Sequence, residues 1–230
     1  MTLRNSALET ALESLTPEWG ELYGMRVPLS YTDAEVEGRQ METLALADLS
    51  ALPKLGLKGP GVDAFVAAQG IEPPADVYGF ARLPGGGWVI RVDGDELFME
   101  SGIDQDDRDA DLLKKLDESL GEERPGVYRI ERQETGLLLS GTLAVNVIRQ
   151  TCGYPFEIGP GVESEFVYAR VAVTSCAILK HSLNGFPVYR IWCVPSSGRY
   201  LLETLLDISR DLGGQPVGLS CYRARVRQEK

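Results

Sequence analysis

The chain has 230 residues, of which 43% are hydrophobic, so it can bury a sizeable core as one large domain or two small ones. Its 34 acidic and 23 basic residues give a formal net charge of −11, which argues against nucleic acid as a partner because phosphates would be repelled. The one basic stretch, residues 221–230, is a charged terminus of the kind that is usually solvated. No apolar run approaches the ~18 residues of a membrane span, and the first residues lack the apolar block of a signal peptide. We therefore expect a soluble, cytoplasmic protein with no membrane or nucleic acid partner.

The stretch "LGLKGPGVDAFVAAQG", residues 55–70, predicts a strand, a sharp turn and a helix. Its glycines and Lys58 are superficially similar to a phosphate-binding loop. The spacing argues against one, because Lys58 precedes Gly59 instead of Ser or Thr, and Pro60 has no N–H to offer an anion. We interpret the turn as a structural corner, in which Gly59 permits tight backbone geometry and Pro60 begins the helix at N1.

Farther along, residues 86–101 predict two strands joined by the turn "VDGDE". A helix is expected next, from about Asp109 to Leu120, because leucines recur on one face. The acidic residues 102–111 lack the glycine and glutamate positions of a calcium loop, so we interpret them as a solvated loop whose last acids favour the helix N-terminus. Residues 119–128, which contain Pro and Gly, are the expected junction between two halves.

The second half repeats the first at a constant offset of 82 residues, since residues 137–156 can be laid over residues 55–74. In this alignment Gly59 meets Gly141, and a helix is predicted after each glycine. Six apolar residues at helical spacing are expected to be buried: Val62, Phe65, Val66, Leu143, Val147 and Ile148.

Residues 167–194 predict two strands around the Asn184-Gly185 turn, and a helix is expected from about Arg199 to Leu212. Gly121 and Gly213 are the expected C-terminal caps of the two long helices. Each half therefore has the order strand, strand, helix, strand, strand, helix. This order indicates a duplicated α+β fold with antiparallel sheets covered by helices. The expected divisions are an N-terminal helical segment (1–22), a first half (23–122) and a second half (123–230).

The cysteines and the histidine do not indicate a metal or nucleophilic site. Cys152, Cys176, Cys193 and Cys221 are far apart in sequence, and no pair has C-x-x-C spacing. Cys176 and Cys193 lie in apolar, strand-like runs and are expected to be small core residues. His181 is the only histidine and is expected near the tip of a hairpin. We predict no metal site.

Two stretches resemble the aminomethyltransferase (glycine cleavage T-protein) family. Residues 44–68, "LALADLSALPKLGLKGPGVDAFVAA", are similar to that family's "FDVSH"-like strand followed by a "V-x-G-P-D-A" turn and helix. Residues 184–214, "NGFPVYRIWCVPSSGRYLLETLLDISRDLGG", resemble its "DGFEIYVP…LWDALLEAG" segment. The likeness spans about Tyr23 to Gly214. In size and layout the chain is similar to the gamma subunit of heterotetrameric sarcosine oxidase, a T-protein-like chain without the family's additional C-terminal domain.

The resemblance also locates two missing carboxylates. Members of that family that carry out folate chemistry have a "G-V-I-D-D" strand, whose carboxylate assists methylene transfer, and a "G-E-D-G-F-E" turn, whose glutamate holds the pterin. The corresponding strand here reads "GWVIRV", with Arg91 and Val92 at the acid positions, and the turn reads "SLNGFP", with Leu183 in place of the glutamate. Asp93 and Asp95 lie close by, but using either would shift the strand to its other face, so we assign them to the turn. No catalytic residue is predicted.

Two functional hypotheses follow from the resemblance. In the first, the chain is a non-catalytic accessory subunit of an amine-oxidising, demethylating complex of one-carbon metabolism, similar to sarcosine oxidase. Flavoprotein or T-protein-like partner subunits would hold flavin and folate, since this chain has no G-x-G-x-x-G turn and is expected to bind no cofactor firmly.

In the second hypothesis, the chain is a stand-alone folate-binding protein, or an aminomethyl- or methyltransferase with a rearranged site. Tetrahydrofolate would then contact Trp88, Arg91, Tyr189 and Trp192, because aromatic rings can stack on a pterin and a guanidinium can bind a glutamyl carboxylate. The three aromatic residues also lie in strand patterns, where sheet packing is their usual role.

Overall fold

The computed structural model describes residues 3–121, 125–156 and 164–228, and it divides into two compact units. Unit 1 comprises Met1–Ala51 and Glu134–Lys230, and unit 2 comprises Leu52–Gln133. Within the described ranges, none of the helices is both long and apolar enough to cross a membrane.

The elements follow one another in this order. The first part of unit 1 contains α1 (Glu9–Glu13), β1 (Glu18–Leu22), β2 (Met25–Ser30), α2 (Ala34–Thr43) and β3 (Ala45–Asp48). Unit 2 contains β4 (Lys54–Lys58), α3 (Val62–Ala67), β5 (Phe80–Arg82), β6 (Trp88–Asp93), β7 (Glu96–Glu100), α4 (Arg108–Ser119) and β8 (Tyr128–Ile130). The second part of unit 1 contains β9 (Thr135–Ser140), α5 (Ala144–Thr151), β10 (Glu165–Val171), β11 (Thr174–Leu183), β12 (Phe186–Cys193), α6 (Pro195–Asp211), β13 (Gln215–Pro216) and α7 (Leu219–Gln228).

Unit 2 is built on a five-stranded antiparallel sheet with the order β5-β6-β7-β4-β8. The alternation of side chains along each strand directs one set of apolar residues toward α3 and α4. Strand and helix residues form one buried core there: Leu55, Leu57, Val62, Phe65, Val66, Val89, Leu97, Met99, Leu113 and Leu116.

Unit 1 is built on a six-stranded sheet with the order β10-β11-β12-β9-β3-β13, in which only the contact between β3 and β13 is parallel. Its main core joins one face of this sheet to α1, α5 and α6, through residues such as Leu12, Leu139, Val147, Ile178, Ile191 and Leu205. The unit also contains the separate β1-β2 hairpin. The predicted α+β class with antiparallel, helix-covered sheets is confirmed.

Apart from β13, the two sheets have matching strand orders, and in each sheet one strand comes from the other half of the chain. Strand β3 precedes β4 in sequence but pairs with β9, and β8 precedes β9 but pairs with β4. This exchange makes the compact units cut across the halves expected at 23–122 and 123–230. The expected boundary itself falls at residues outside the described ranges, and residues 1–22 contain β1 as well as the short helix α1.

The predicted repeat is visible in the backbone on either side of Gly59 and Gly141. Both glycines have positive φ, +122° and +104° respectively, a conformation that side chains with a Cβ atom rarely adopt. Helix α3 begins at Val62 and α5 at Ala144, which preserves the offset of 82 residues. Five of the six helix residues expected to be buried are buried, while Leu143 is only partly buried.

The helix at the first corner begins later than predicted. Gly61 is its N-cap, so Pro60 precedes the helix instead of occupying N1. The Gly61 N–H, which has no acceptor within the helix, donates to the carbonyl oxygen of Gly126 in the loop before β8 (2.9 Å). The corner itself, with Gly59 at its strained position, is confirmed.

Each half contains two more strands than predicted. The additional strands are β2 and β5 in residues 23–122, and β10 and β13 in residues 123–230. Strand β10 takes up the first part of the stretch before Asn184 that the sequence predicts as one strand. The turn between β10 and β11 has Ala172 and Val173 at φ +47° and +63°, where glycine or asparagine is usual. Without those residues, the sequence carries no signal for that turn.

The ends of the long helices also differ in detail from the prediction. Helix α6 begins at Pro195, four residues before the expected Arg199. It ends in a Schellman motif, in which Gly213 donates to the carbonyl of Arg210 and Gly214 to the carbonyl of Ser209. The basic C-terminal stretch is largely helical and packed, because α7 buries Cys221 and Tyr222, and Arg225 contacts Glu42 (2.6 Å).

Phe65→Ala is expected to lower the free energy of unfolding by about 3–5 kcal/mol, because it removes a buried ring from the core of unit 2. Urea unfolding measures the loss. The matched control is Lys115→Ala on an exposed position of α4, which should change stability by less than about 0.5 kcal/mol. A loss below about 1 kcal/mol for Phe65→Ala would contradict this core assignment.

Gly141→Ala is expected to destabilise unit 1 by more than about 1 kcal/mol. The added Cβ would lie 2.4 Å from the carbonyl carbon of Thr43, and φ is already unfavourable for alanine. Gly153→Ala is the control, because a Cβ there meets no atom within 4 Å. Equal unfolding midpoints for the two variants would show that the corner is not constrained.

Candidate functional site

Arg91 lies on β6 and is 3% exposed, and its guanidinium is committed to groups of its own unit. Nε donates to the carbonyl oxygen of Pro74 (2.5 Å) and Nη1 to that of Gly94 (2.8 Å). Nη2 forms an ion pair with Asp63 on α3 (2.6 Å). The side chain thus ties a helix, a loop and a turn to the sheet, which is a structural role.

The acids after Arg91 form a turn, as predicted. Strands β6 and β7 meet at Asp93 and Glu96, with a register irregularity just before the turn. Lys58 Nζ lies 3.1 Å from Glu96 Oε2, and 3.9 Å and 4.0 Å from carboxylate oxygens of Asp93 and Asp95. The hydrogen bond to Glu96, followed by the nearby negative charges, raises the pKa of Lys58 above its usual range. Asp93 and Asp95 thus surround a surface lysine.

Trp88 lies on the same strand as Arg91 but on the opposite face of the sheet, since the two are three residues apart. Its ring is covered by Arg82, whose guanidinium carbon lies 3.8 Å from the ring centroid, and by an edge-to-face contact with Phe80. Glu100, which pairs with Trp88 across the strands, forms a buried ion pair with Lys54 (3.4 Å). Trp88 is therefore part of the packing of unit 2.

Tyr189 and Trp192 lie on β12 in unit 1, and they too point to opposite faces of their sheet. Tyr189 packs edge-to-face against Phe156 within the main core, and burial, with a smaller contribution from Glu165, raises its pKa to about 12. Trp192 is buried beneath Arg190, whose guanidinium carbon lies 5.4 Å from the ring centroid. Trp88 and Arg91 thus lie on opposite faces of the sheet in unit 2, and Tyr189 and Trp192 lie on opposite faces of the sheet in unit 1.

Leu183 ends β11 and is 1% exposed, paired with Phe186 across a two-residue turn. Asn184 and Gly185 both have positive φ in this turn, as the sequence predicts, and Asn184 donates to the backbone carbonyl of Arg225 (2.8 Å). His181 lies near the turn as expected, but inside the strand and buried. At this position the chain therefore presents a packed leucine, not a carboxylate.

Sequence reasoning missed the role of Asp109, which was assigned to a solvated loop but is 1% exposed. Its carboxylate accepts hydrogen bonds from the backbone N–H groups of Gly85 (2.6 Å), Gly87 (2.7 Å) and Gly102 (2.9 Å). The glycines are needed because a Cβ at any of them would lie under 3.0 Å from neighbouring atoms. The triplet Gly85-Gly86-Gly87 was the available signal, because glycine runs permit close backbone approach.

A second buried acid, Glu37 on α2, has a similar role in unit 1. Its carboxylate accepts from the backbone N–H groups of Tyr31 (2.5 Å), Thr32 (3.2 Å) and Gly218 (3.0 Å). Burial, followed by the charges of Asp48 and Glu37, raises the pKa of the Tyr31 hydroxyl well above its usual range. The carboxylates of Asp109 and Glu37 thus hold neighbouring backbone segments together, and their oxygens already accept hydrogen bonds from this chain.

Unit 1 also contains an open groove of about 530 Å³ between α2, α7 and the β1-β2 hairpin. Two ion pairs lie along it, Glu35 with Arg39 (2.5 Å) and Arg225 with Glu42, and Glu18 accepts a hydrogen bond from Ser30 (2.9 Å). Among the residues that the structure describes, no group of three or more His, Cys, Asp or Glu side chains is arranged to hold a metal ion.

Solved structures identify the fold. The chain is similar to the glycine cleavage system aminomethyltransferase T of Bartonella henselae, with 18% identity, 97% of this chain and 62% of that chain covered, and a TM-score of 0.70. The chain has a T-protein-like fold. No family model matches it, and neither does any curated protein sequence.

A second similar structure is the heterotetrameric sarcosine oxidase from Corynebacterium sp. U-96, solved with pyrrole 2-carboxylate. The match has 22% identity and a TM-score of 0.59, and it covers 79% of this chain and 93% of that one. This chain therefore spans less than two thirds of the T-protein but nearly all of the matched oxidase chain. At these identities the likeness concerns the fold.

Arg91→Lys is expected to lower the free energy of unfolding by about 2–4 kcal/mol, because one ammonium group cannot replace three guanidinium contacts that point to different partners. Arg129→Lys is the control, since Arg129 is about half exposed and its guanidinium pairs with the surface acids Asp117 and Glu131. The free energy of unfolding of both variants is measured by chemical denaturation. Equal values would contradict the structural role assigned to Arg91.

Proposed function

We propose that this chain is a non-catalytic accessory subunit with a T-protein-like fold, which assembles with flavoprotein or T-protein-like subunits in an amine-oxidising, demethylating complex of one-carbon metabolism. The proposal is supported by the likeness to a chain of a heterotetrameric oxidase that this protein almost fully covers. The flavin and any folate are then bound by the partner subunits.

The proposal rests on which residues stand at the two positions where the resemblance implies carboxylates, and on how those residues are packed. Arg91 occupies the first, with its donors bonded to Asp63, Pro74 and Gly94. Leu183 occupies the second and is packed at the end of β11. Neither residue supplies the negative charge that would stabilise a developing ammonium or iminium group.

The two acids that follow Arg91 in the chain do not offer a replacement. Asp93 and Asp95 lie in the β6-β7 turn beside Lys58. A displacement of even ~1 Å in a reacting group can cost on the order of a hundredfold in rate, so a neighbouring carboxylate does not restore catalysis. The chain retains the scaffold without the reactive groups.

The isolated chain is accordingly expected to show no folate-dependent aminomethyl or methylene transfer. Asp93→Asn and Asp95→Asn should leave the activity of the assembled complex within about twofold of the parent, because surface turn acids of this kind contribute little. Turnover is followed by formation of 5,10-methylenetetrahydrofolate. Robust turnover by the parent chain alone, abolished by either substitution, would make the chain an enzyme and overturn the proposal.

Assembly is tested separately, by tagging the chain in its own host and separating the purified material by size exclusion. We expect it to elute with a larger polypeptide that carries the visible absorbance of flavin. Elution alone, combined with micromolar quenching of tryptophan fluorescence by tetrahydrofolate, would instead support the stand-alone folate-binding protein. The covered ring of Trp88 and the occupied guanidinium of Arg91 argue against that outcome.

A further inference from the structure

Two of the four cysteines face each other across neighbouring strands. Cys176 on β11 is the direct register partner of Cys193 on β12, and the pairing of these strands is continuous from this point to the turn after Leu183. Both side chains belong to the main core of unit 1, so they lie on the same face of the sheet. Such a pair cannot be recognised from spacing alone.

The type of strand pair can be derived from Pro187. Partners in an antiparallel sheet alternate between pairs that exchange both N–H···O bonds and pairs that exchange none. Pro187 has no N–H, so its pair with Ser182 is of the non-hydrogen-bonded type. Along these two strands, every second pair has the same type as Ser182–Pro187. The Cys176–Cys193 pair is one of these, so it is also non-hydrogen-bonded.

The geometry of such a pair suits a disulfide. Its Cα atoms are about 4.5 Å apart and its side chains approach closely, whereas disulfides span Cα separations of about 4.4–6.8 Å. The Cys176 thiol at present donates weakly to the carbonyl oxygen of Thr174 (Sγ···O 3.4 Å), a contact that a small rotation would release. The strand pairing itself therefore supplies a separation that a disulfide can span.

We propose that Cys176 and Cys193 are a covalent modification site, at which hydrogen peroxide oxidises the two thiols to a cross-strand disulfide. The inference does not depend on the proposed function. The Cys193 thiolate attacks one peroxide oxygen, the O–O bond breaks, and the other oxygen leaves as water after taking a proton. The Cys176 thiol then attacks the sulfenic sulfur, its proton leaves with the hydroxyl as a second water, and the S–S bond forms.

Burial makes this reaction slow at neutral pH. It raises the pKa of Cys176 to about 12 and that of Cys193 to about 11, so few molecules carry a thiolate at neutral pH. Both cysteines are buried, but the strand ends next to them are exposed: Val194 follows Cys193, and Val173, which is 78% exposed, lies in the turn before Cys176. The rate of disulfide formation should rise roughly tenfold per pH unit between about pH 7 and pH 9.

The experiment treats the full chain with hydrogen peroxide at about pH 9, blocks remaining thiols with iodoacetamide, and maps peptides by mass spectrometry without reduction. We expect one linked peptide pair that contains Cys176 and Cys193, lighter by two hydrogen atoms. The thermal midpoint should increase and return to its original value after reduction, since the bond constrains the unfolded chain. Alkylation of both cysteines, over-oxidation to sulfonic acid, or a linkage of Cys152 to Cys176 would overturn the proposal.

The variants Cys193→Ala and Cys221→Ala give a matched comparison. Cys221 lies on α7, outside the main core, so its replacement should leave the linkage intact. Cys193→Ala should abolish both the linkage and the peroxide-dependent rise of the midpoint. If Cys193→Ala does not fold, the peptide map of the parent chain still decides, and an equal rise in both variants would contradict the assignment.

Discussion

The two glycine corners hold the exchanged strands in place, and the arrangement of both sheets depends on them. After β4 the chain turns at Gly59, where a Cβ atom would lie 2.4 Å from the carbonyl oxygen of Gly126, just before β8. After β9 it turns at Gly141, where a Cβ atom would meet the backbone of Thr43, just before β3. Each corner therefore touches the segment that leads into the strand received from the other half.

At each corner, a backbone hydrogen bond also joins the start of the helix to the segment that leads into the exchanged strand. Gly61 donates to Gly126 at the first corner, and Leu143 donates to Thr43 at the second, both at 2.9 Å. The donors differ by 82 residues and the acceptors by 83, close to the offset of the sequence repeat. A Cβ atom at Gly59 would push the first corner away from Gly126, and one at Gly141 would push the second corner away from Thr43. The two glycines permit the close backbone approach that accompanies the reciprocal exchange.

Charged side chains inside both units serve as partners for the backbone. Asp109 and Glu37 each accept three backbone N–H groups, and Arg91 donates to two carbonyl oxygens and one carboxylate. A buried charge is costly unless it is hydrogen-bonded. These side chains bond to backbone groups of irregular loops, and those backbone groups have no partner in a sheet or helix. The same commitments leave these groups unavailable for chemistry, which is consistent with a scaffold role.

The sequence alone determined the features that depend on neighbouring residues. The repeat, the glycine corners, the VDGDE and Asn184-Gly185 turns and the apolar faces of the long helices follow from local sterics and from hydrophobic periodicity. Only the tertiary structure decided which sheet β3 and β8 join, because a strand with two available edges chooses its partner through contacts distant in sequence. The three acceptor bonds of Asp109, the three donor bonds of Arg91 and the pairing of Cys176 with Cys193 likewise depend on segments far apart in the chain. Their physical origin lies in register and close packing, which a linear pattern does not record.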